Sequence, residues 1–427
     1  MSRTRIVRGK ITEVVEKDYD IFSESNIVDN AADMVTDKGG NKGVTYNNPS
    51  RPSAGEIRAK VMVEFRPHNN WTGSFGFDWI RFGDTGLSGD VFYKSIVGKN
   101  RDAAGNISQR TNYGSNIVAD ESEYRDLLKK YTLMKVNFTN DFYVIPWLSL
   151  YKGKTAKLSL KINIKEPPKK IEFKYDTNLF KLNRTEISQK SKGKHTLADY
   201  LQITCINTFN QDKFVEVLAD GEIVGKLKVH KNGKVDRKKL DVLLVPVKTN
   251  IKLPGGETGN VTDENNKLKK YLGQALITPN VKISGNLDIT NNATFRQRFV
   301  RRNQIVYSGH DLHDYMLTTY NFRRHFPNHF IIYVFDVRAL SGGFSAGGEA
   351  YDINSDNALV FEYASRKTTC LVHELLHALG LYHTFDNDSL FTFPKVTENI
   401  MDYTNPRYAT FKWQWDIIRK NTLVKPE

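Results

Sequence analysis

Residues 373–383 read His-Glu-Leu-Leu-His-Ala-Leu-Gly-Leu-Tyr-His, and they hold three of the ten histidines in a chain of 427 residues. Val372, Leu375, Leu376 and Leu379 recur at i, i+3, i+4 and i+7, the apolar stripe of a helix that faces a core. On that helix His373 and His377 lie four apart, point the same way and can share one metal ion. Glu374 sits beside that face, within reach of a metal-bound water without being a ligand. Gly380 is free to adopt positive φ, so the helix can end there and the chain can turn back. The turn brings His383 towards the same ion. Three neutral imidazoles with one open position are a typical catalytic zinc set.

The motif at His373, Glu374, His377, Gly380 and His383 resembles the extended zinc signature of the metzincin metallopeptidases. Asn399-Ile400-Met401-Asp402-Tyr403 resembles the methionine turn of that family, and Leu-Tyr-His-Thr-Phe at 381–385 with Met-x-Tyr-Thr at 401–404 is most similar to its pappalysin and cytophagalysin branch. The cysteines that flank the site in many pappalysin relatives are missing. The resemblance implies one catalytic zinc ion held by His373, His377 and His383, with Glu374 as general base. It places Met401 beneath the metal and Tyr403 near it, as a loose ligand or a donor to the oxyanion. It spans roughly 236–427, with motif residues confined to 373–403. A bare His-Glu-x-x-His can arise by chance on an amphipathic helix. The glycine, the third histidine and the downstream Met-x-Tyr argue against that here, and Glu374 argues against a relative that keeps zinc without activity.

Hydrophobic content of 39% and charged content of 26% are ordinary for a globular protein, and the length allows two to four domains. A formal charge of +14 would suit an acidic partner, but the lysines are dispersed and no nucleic-acid motif accompanies them, which favours a basic solvated surface. Cys205 and Cys370 adjoin apolar residues and read as reduced core residues. The N-terminus has basic residues but no apolar run behind them, so no Sec-type signal is expected. No apolar run reaches the roughly 20 residues of a membrane helix.

Along the chain, 1–56 is a polar leader. Alternating stretches at 57–65, 75–82, 133–138, 142–151 and 156–164 predict a β-sandwich over 1–165, with a short helix near 124–130. Lys-Glu-Pro-Pro-Lys-Lys at 165–170 reads as a linker. A small immunoglobulin-like β domain is expected at 171–235, with a hairpin turning at Asp220-Gly221. From 236 a buried strand at 240–247 ends at Pro246 or lies at an edge. Then follow a helix at 268–275, a strand at 276–283, a helix at 313–326 and a strand at 330–337, an α/β layer that leads into the zinc helix. The glycine-rich stretch 342–348 is either an edge strand approached by substrate or a surface loop. Phe411, Trp415 and Ile418 form a last helical stripe after a Thr410 cap. His310 and His313 have metal-like spacing but no third ligand, and Asp386-Asn387-Asp388 reads as a polar turn.

The fold expected is therefore multidomain: N-terminal β-sandwich-like domains, then an α/β metzincin-like peptidase domain. The function expected is hydrolysis of protein or peptide substrates by a zinc-dependent endopeptidase. Tandem β domains before a peptidase, without a Sec signal, resemble effectors delivered by type VI-like secretion machines. This implies synthesis in a bacterial cytoplasm and export by a non-Sec route, the β domains docking to the apparatus. Two alternatives stand beside it: a non-catalytic component of such an apparatus with a vestigial protease fold, and a secreted or surface peptidase whose signal has been removed.

Overall fold

Val61, Val63 and Phe65 turn inward while Met62 and Glu64 remain part-exposed, and their strand Val61–Pro67 pairs antiparallel with Thr155–Ile164. The computed structural model describes residues 56–108, 116–139, 142–252, 256–361 and 369–427; the polar leader lies outside the described residues. Thr155–Ile164 also pairs with Gly193–Cys205, which pairs with Phe180–Leu182, giving a four-stranded sheet. A five-stranded sheet runs Ile171–Lys174, Lys213–Ala219, Glu222–Val229, Trp147–Ser149 and Gly76–Asp78. Leu158, Leu160, Val217 and Leu227, drawn from the two sheets, are fully buried in one core, each contributing roughly 1.5–3 kcal/mol by its burial.

The expected boundary at 165–170 is therefore corrected. Both sheets mix strands from before and after it, so the two β regions form one sandwich and the Pro-Pro stretch is a connection within it. Two prolines and dense charge stop a strand equally well in an exposed connection and in a linker, and local sequence does not say which strands will pair. The hairpin at Asp220-Gly221 forms as expected; both residues take positive φ, 48° and 86°, as a two-residue type I′ turn requires.

Between the sandwich strands Gly76–Asp78 and Trp147–Ser149 the chain makes a long excursion. It includes the ribbon Gly98–Asn100 with Ile117–Ala119 and the helix Glu121–Leu128, capped by Asp120. This excursion packs on the last fifty residues of the chain, and the two regions share one apolar cluster.

The second layer is built on the strand Lys238–Thr249. Ile277–Ile283 flanks it on one side, Phe330–Phe335 and then Asn357–Val360 on the other, all parallel, and Gly348–Ala350 closes the sheet antiparallel. Val242 and Leu244 face the zinc-motif helix and its cluster, whereas Leu243, Val245 and Val247 face a second cluster under the helix Asp311–Tyr320. Burial on both faces explains the nearly continuous apolar run. Pro246 neither ends the strand nor marks an edge. It pairs with Val334 on one side, and on the other it falls where the flanking chain is interrupted between Ile283 and Leu287. No ladder partner is lost there.

The helix expected at 313–326 is two, Asp311–Tyr320 and Phe322–His325, broken at Asn321 with φ of 30°. The final helix, Lys412–Ile418, starts at Phe411 rather than Thr410. Gln414 accepts the Phe411 N–H at 2.8 Å, and Thr410 Oγ1 instead accepts the indole N–H of Trp415 at 2.8 Å. No helix among the described residues is long and apolar enough to cross a membrane.

Candidate metal centre

The zinc-motif helix spans Cys370–Ala378 with Leu371, Val372, Leu375 and Leu376 buried. Its end is a Schellman turn: the Leu381 N–H reaches the Leu376 carbonyl at 3.0 Å and the Gly380 N–H reaches that of His377 at 2.9 Å. Gly380 has φ of 107°, which favours glycine, and a Cβ there would also lie 2.7 Å from Asn354 Oδ1, which would have to turn away. This turn swings His383 back beside the helix.

The Nε2 atoms of His373, His377 and His383 lie 3.1–3.2 Å from one another. Each ring is fixed through its other nitrogen. Nδ1 of His373 donates to the Ile400 carbonyl at 2.7 Å, that of His377 to the Leu381 carbonyl at 2.7 Å, and that of His383 to Asp386 Oδ2 at 3.2 Å. A proton on each Nδ1 leaves each Nε2 lone pair directed at a shared point, the tautomer a metal ligand needs. Nitrogens bound to a tetrahedral zinc at ~2.0–2.1 Å stand roughly 3.3 Å apart, close to the spacing seen. The residues present thus fit a zinc ion, and these three make up the one such set among the described residues.

Burial, and then the neighbouring imidazoles, hold His373 far below the usual histidine range and bring His377 down to about 3, so both are neutral near pH 7, the state in which an imidazole can bind a metal. Glu374 is buried, and burial, with Glu349 nearby, pushes its carboxyl up to about 8. A divalent cation alongside acts in the opposite sense and favours the carboxylate. Cys370 Sγ is 3.6 Å from Glu374 Oε1, and burial pushes its thiol well above the usual range. Both cysteines are free, as expected, although Cys370 faces the Glu374 carboxyl and not only apolar core.

The sheet edge Gly348–Ala350 roofs the site. A Cβ on Gly348 would lie 2.6 Å from Glu374 Cγ, so bare backbone here is what lets the strand pass over the acid. Of the stretch 342–348, Phe344–Ala346 forms a hairpin with Ala339–Ser341, and the edge strand begins at Gly348. The strand, the histidines, Glu374 and Tyr403 line a cavity of about 320 Å³.

Met401 is fully buried, and its carbonyl accepts the Thr384 N–H at 3.1 Å, one residue past His383. Tyr403 is half-exposed at the cavity mouth, its ring 4.8 Å from that of His383 and 5.9 Å from that of His373. Of the seven residues singled out in the sequence, His373, Glu374, His377, His383 and Tyr403 line this cavity, Gly380 ends the helix and Met401 is buried outside the lining.

Three groups there went unmarked in the sequence reading. Asp386, within the expected polar turn, accepts from His383 Nδ1 and orients its ring; its place three residues after the last histidine is the available signal. Arg407 Nη1 donates to the Asp402 carbonyl at 2.7 Å, which places a cation behind His373. Glu398, next to the methionine turn, is paired with Arg81 from more than 300 residues earlier, a link no local pattern reveals. The His310 and His313 pair is not a metal set: His313 is buried with Nδ1 2.8 Å from Asn357 Oδ1, and His310 packs on Tyr351.

No protein-family model matches the chain, and no curated protein matches it. Among solved structures it is similar to the archaemetzincin of Archaeoglobus fulgidus, with 14% identity, 42% of this chain and 90% of that chain covered, and a TM-score of 0.22. It is also similar to the archaemetzincin of Methanopyrus kandleri, with 13% identity, 44% and 96% covered, and a TM-score of 0.24. Neither likeness bears on the pappalysin branch or on delivery by a secretion machine.

Proposed function

We propose that this protein is a zinc-dependent endopeptidase of metzincin-like build. The observation that carries the reading is the convergence of three anchored imidazoles beside a buried carboxylate, beneath an accessible sheet edge. When bound, zinc supplies a Lewis acid and a water whose pKa falls to about 7. Glu374 takes the proton as water attacks the scissile carbonyl and returns it to the leaving amine. Tyr403, at the cavity mouth, offers its hydroxyl to the developing oxyanion. The strand Gly348–Ala350 gives an extended polypeptide backbone groups to pair with, which favours peptide bonds as substrate.

Replacing Glu374 by Gln should leave the zinc content at one ion per chain and lower kcat by roughly 10²–10⁴-fold. Full activity in that variant would end the assignment. Tyr403→Phe should cause a smaller loss, and unchanged turnover would remove its oxyanion role. The order of β region and peptidase, by itself, supports a delivered bacterial effector as the wider role. Toxicity that survives Glu374→Gln would turn that reading towards a non-catalytic component of the apparatus.

A further inference from the structure

The segment from Thr384 to Phe411 carries two of the three supports behind the histidines, yet it contains no helix and only isolated strand bridges. Gln274 and Gln414 bond its C-terminal part, at Tyr408, Thr410 and Asn399, and two further anchors beside the histidine supports come from the N-terminal part of the chain.

The first is a buried ionic chain. Arg81, three residues beyond the sandwich strand Gly76–Asp78, is fully buried. Its Nε donates to Glu398 Oε1 at 2.9 Å, Nη2 donates to the same oxygen, and Nη1 donates to Asp78 and to the Trp79 carbonyl. Asp78 Oδ2 in turn accepts the Tyr131 hydroxyl at 2.6 Å and the Lys412 N–H at 2.7 Å. The guanidinium stacks 3.7 Å from the Trp79 ring. Glu398 stands two residues before Ile400, whose carbonyl orients His373. Gly89 packs against the same residue so closely that a Cβ would lie 2.2 Å from Glu398 N.

The second is an amide clasp. Asn387 Oδ1 accepts the Asn100 N–H at 2.8 Å, and its Nδ2 donates to the carbonyls of Asn100 at 3.0 Å and Ser108 at 2.6 Å. Asn387 follows Asp386, the carboxylate that orients His383. Two residues earlier in the same strand, Gly98 bridges Thr392.

We infer that the N-terminal β region acts as the positioning scaffold of the metal site, with Arg81 and Asn387 as positioning residues. Arg81 sets His373 through Glu398 and Ile400, and Asn387 sets His383 through Asp386. The inference rests on the metal-centre reading above. It makes the sandwich and its excursion part of the catalytic scaffold, and not only a docking module attached to it. Mutation of groups that orient metal ligands lowers metal affinity roughly 10–100-fold.

The test uses the full chain loaded with cobalt(II), at a temperature where circular dichroism shows each variant folded. Affinity is measured by competition with a chromophoric chelator, and ligand geometry by the visible absorption of the bound ion. Asn387→Ala and Arg81→Lys, which keeps the charge but loses the planar fork, should each weaken binding about 10-fold or more and alter the absorption bands. Leu312→Ala, in the separate apolar cluster under the helix Asp311–Tyr320, should lower Tm and leave both metal readouts unchanged. Wild-type affinity and spectrum in folded Asn387→Ala and Arg81→Lys would overturn the inference, as would an equal loss in Leu312→Ala. A wild-type protein that binds no cobalt or zinc would overturn the metal centre itself, a distinguishable failure.

Discussion

The helix that presents His373 and His377 and the segment that follows His383 are built in opposite ways. Cys370–Ala378 is specified locally: an apolar stripe, two histidines one turn apart and a glycine that ends the helix all fall within eleven residues. The segment after His383 is specified from afar. Arg81 reaches Glu398 and Asn100 reaches Asn387 from the other end of the chain, alongside local bonds such as that from Thr397 to Asp402. A site can thus be announced by a short motif while its precision resides in contacts the motif does not contain.

The largest effect should come from cutting the distant support. Arg81→Met removes the cation between two buried carboxylates, Asp78 and Glu398, and truncating one partner of a buried ion pair costs about 3–5 kcal/mol. Urea unfolding of the full chain measures it, and a loss below ~1 kcal/mol, the range of a surface pair, would mean that the two regions are far less dependent on each other than the geometry implies.

The layer above the helix can be probed by pH. Burial brings His313 down to about 4 from a usual 6.5. Between those values the unfolded chain binds the proton and the folded chain does not. The stability is therefore whole above about pH 6.5 and falls as pH drops towards 4, by about 3 kcal/mol for this one group. In His313→Gln, which keeps an amide donor for Asn357, the decline between pH 6.5 and 4 should be shallower. Parallel curves for the two proteins would assign the acid sensitivity elsewhere.

The smallest effect is expected at the junction of the two regions. Gly380→Ala forces a side chain into a left-handed conformation and against Asn354, a cost of roughly 1–3 kcal/mol. Because the turn also aims His383, metal affinity should fall with stability. A variant that lost stability alone would show that the helix end and the third ligand are independent.

The same division governs how much was legible beforehand. That His373, His377, His383, Glu374 and Tyr403 would come together was readable because each belongs to a short pattern with its own chemistry. The buried strands at 330–335 and 238–249 were readable from their apolar runs, and the hairpin at Asp220-Gly221 from its turn residues. The single sandwich was not, because pairing of Val61–Pro67 with Thr155–Ile164 joins residues about a hundred apart and leaves no local trace. Pro246 misled for a related reason: a proline's missing N–H matters only if a neighbour asks for it, and the neighbour there is interrupted. Asp386 and Asn387 looked like any polar turn, since their work lies in which distant groups they meet.

The roof over Glu374 has one more consequence for a peptidase of the proposed kind. Gly348–Ala350 passes so close to the acid that a target must lie flat and extended along the slot, as a single strand with its own hydrogen bonds undone. Compact proteins do not offer such stretches except when they open locally, and the free energy of that opening differs widely from one region of a protein to another. Where opening and reclosing are fast, cleavage follows the population of the open form. Susceptibility among targets would then be ranked by how readily each chain loosens, and a firmly folded protein bearing a favourable sequence would outlast a loosely folded one bearing a poor sequence.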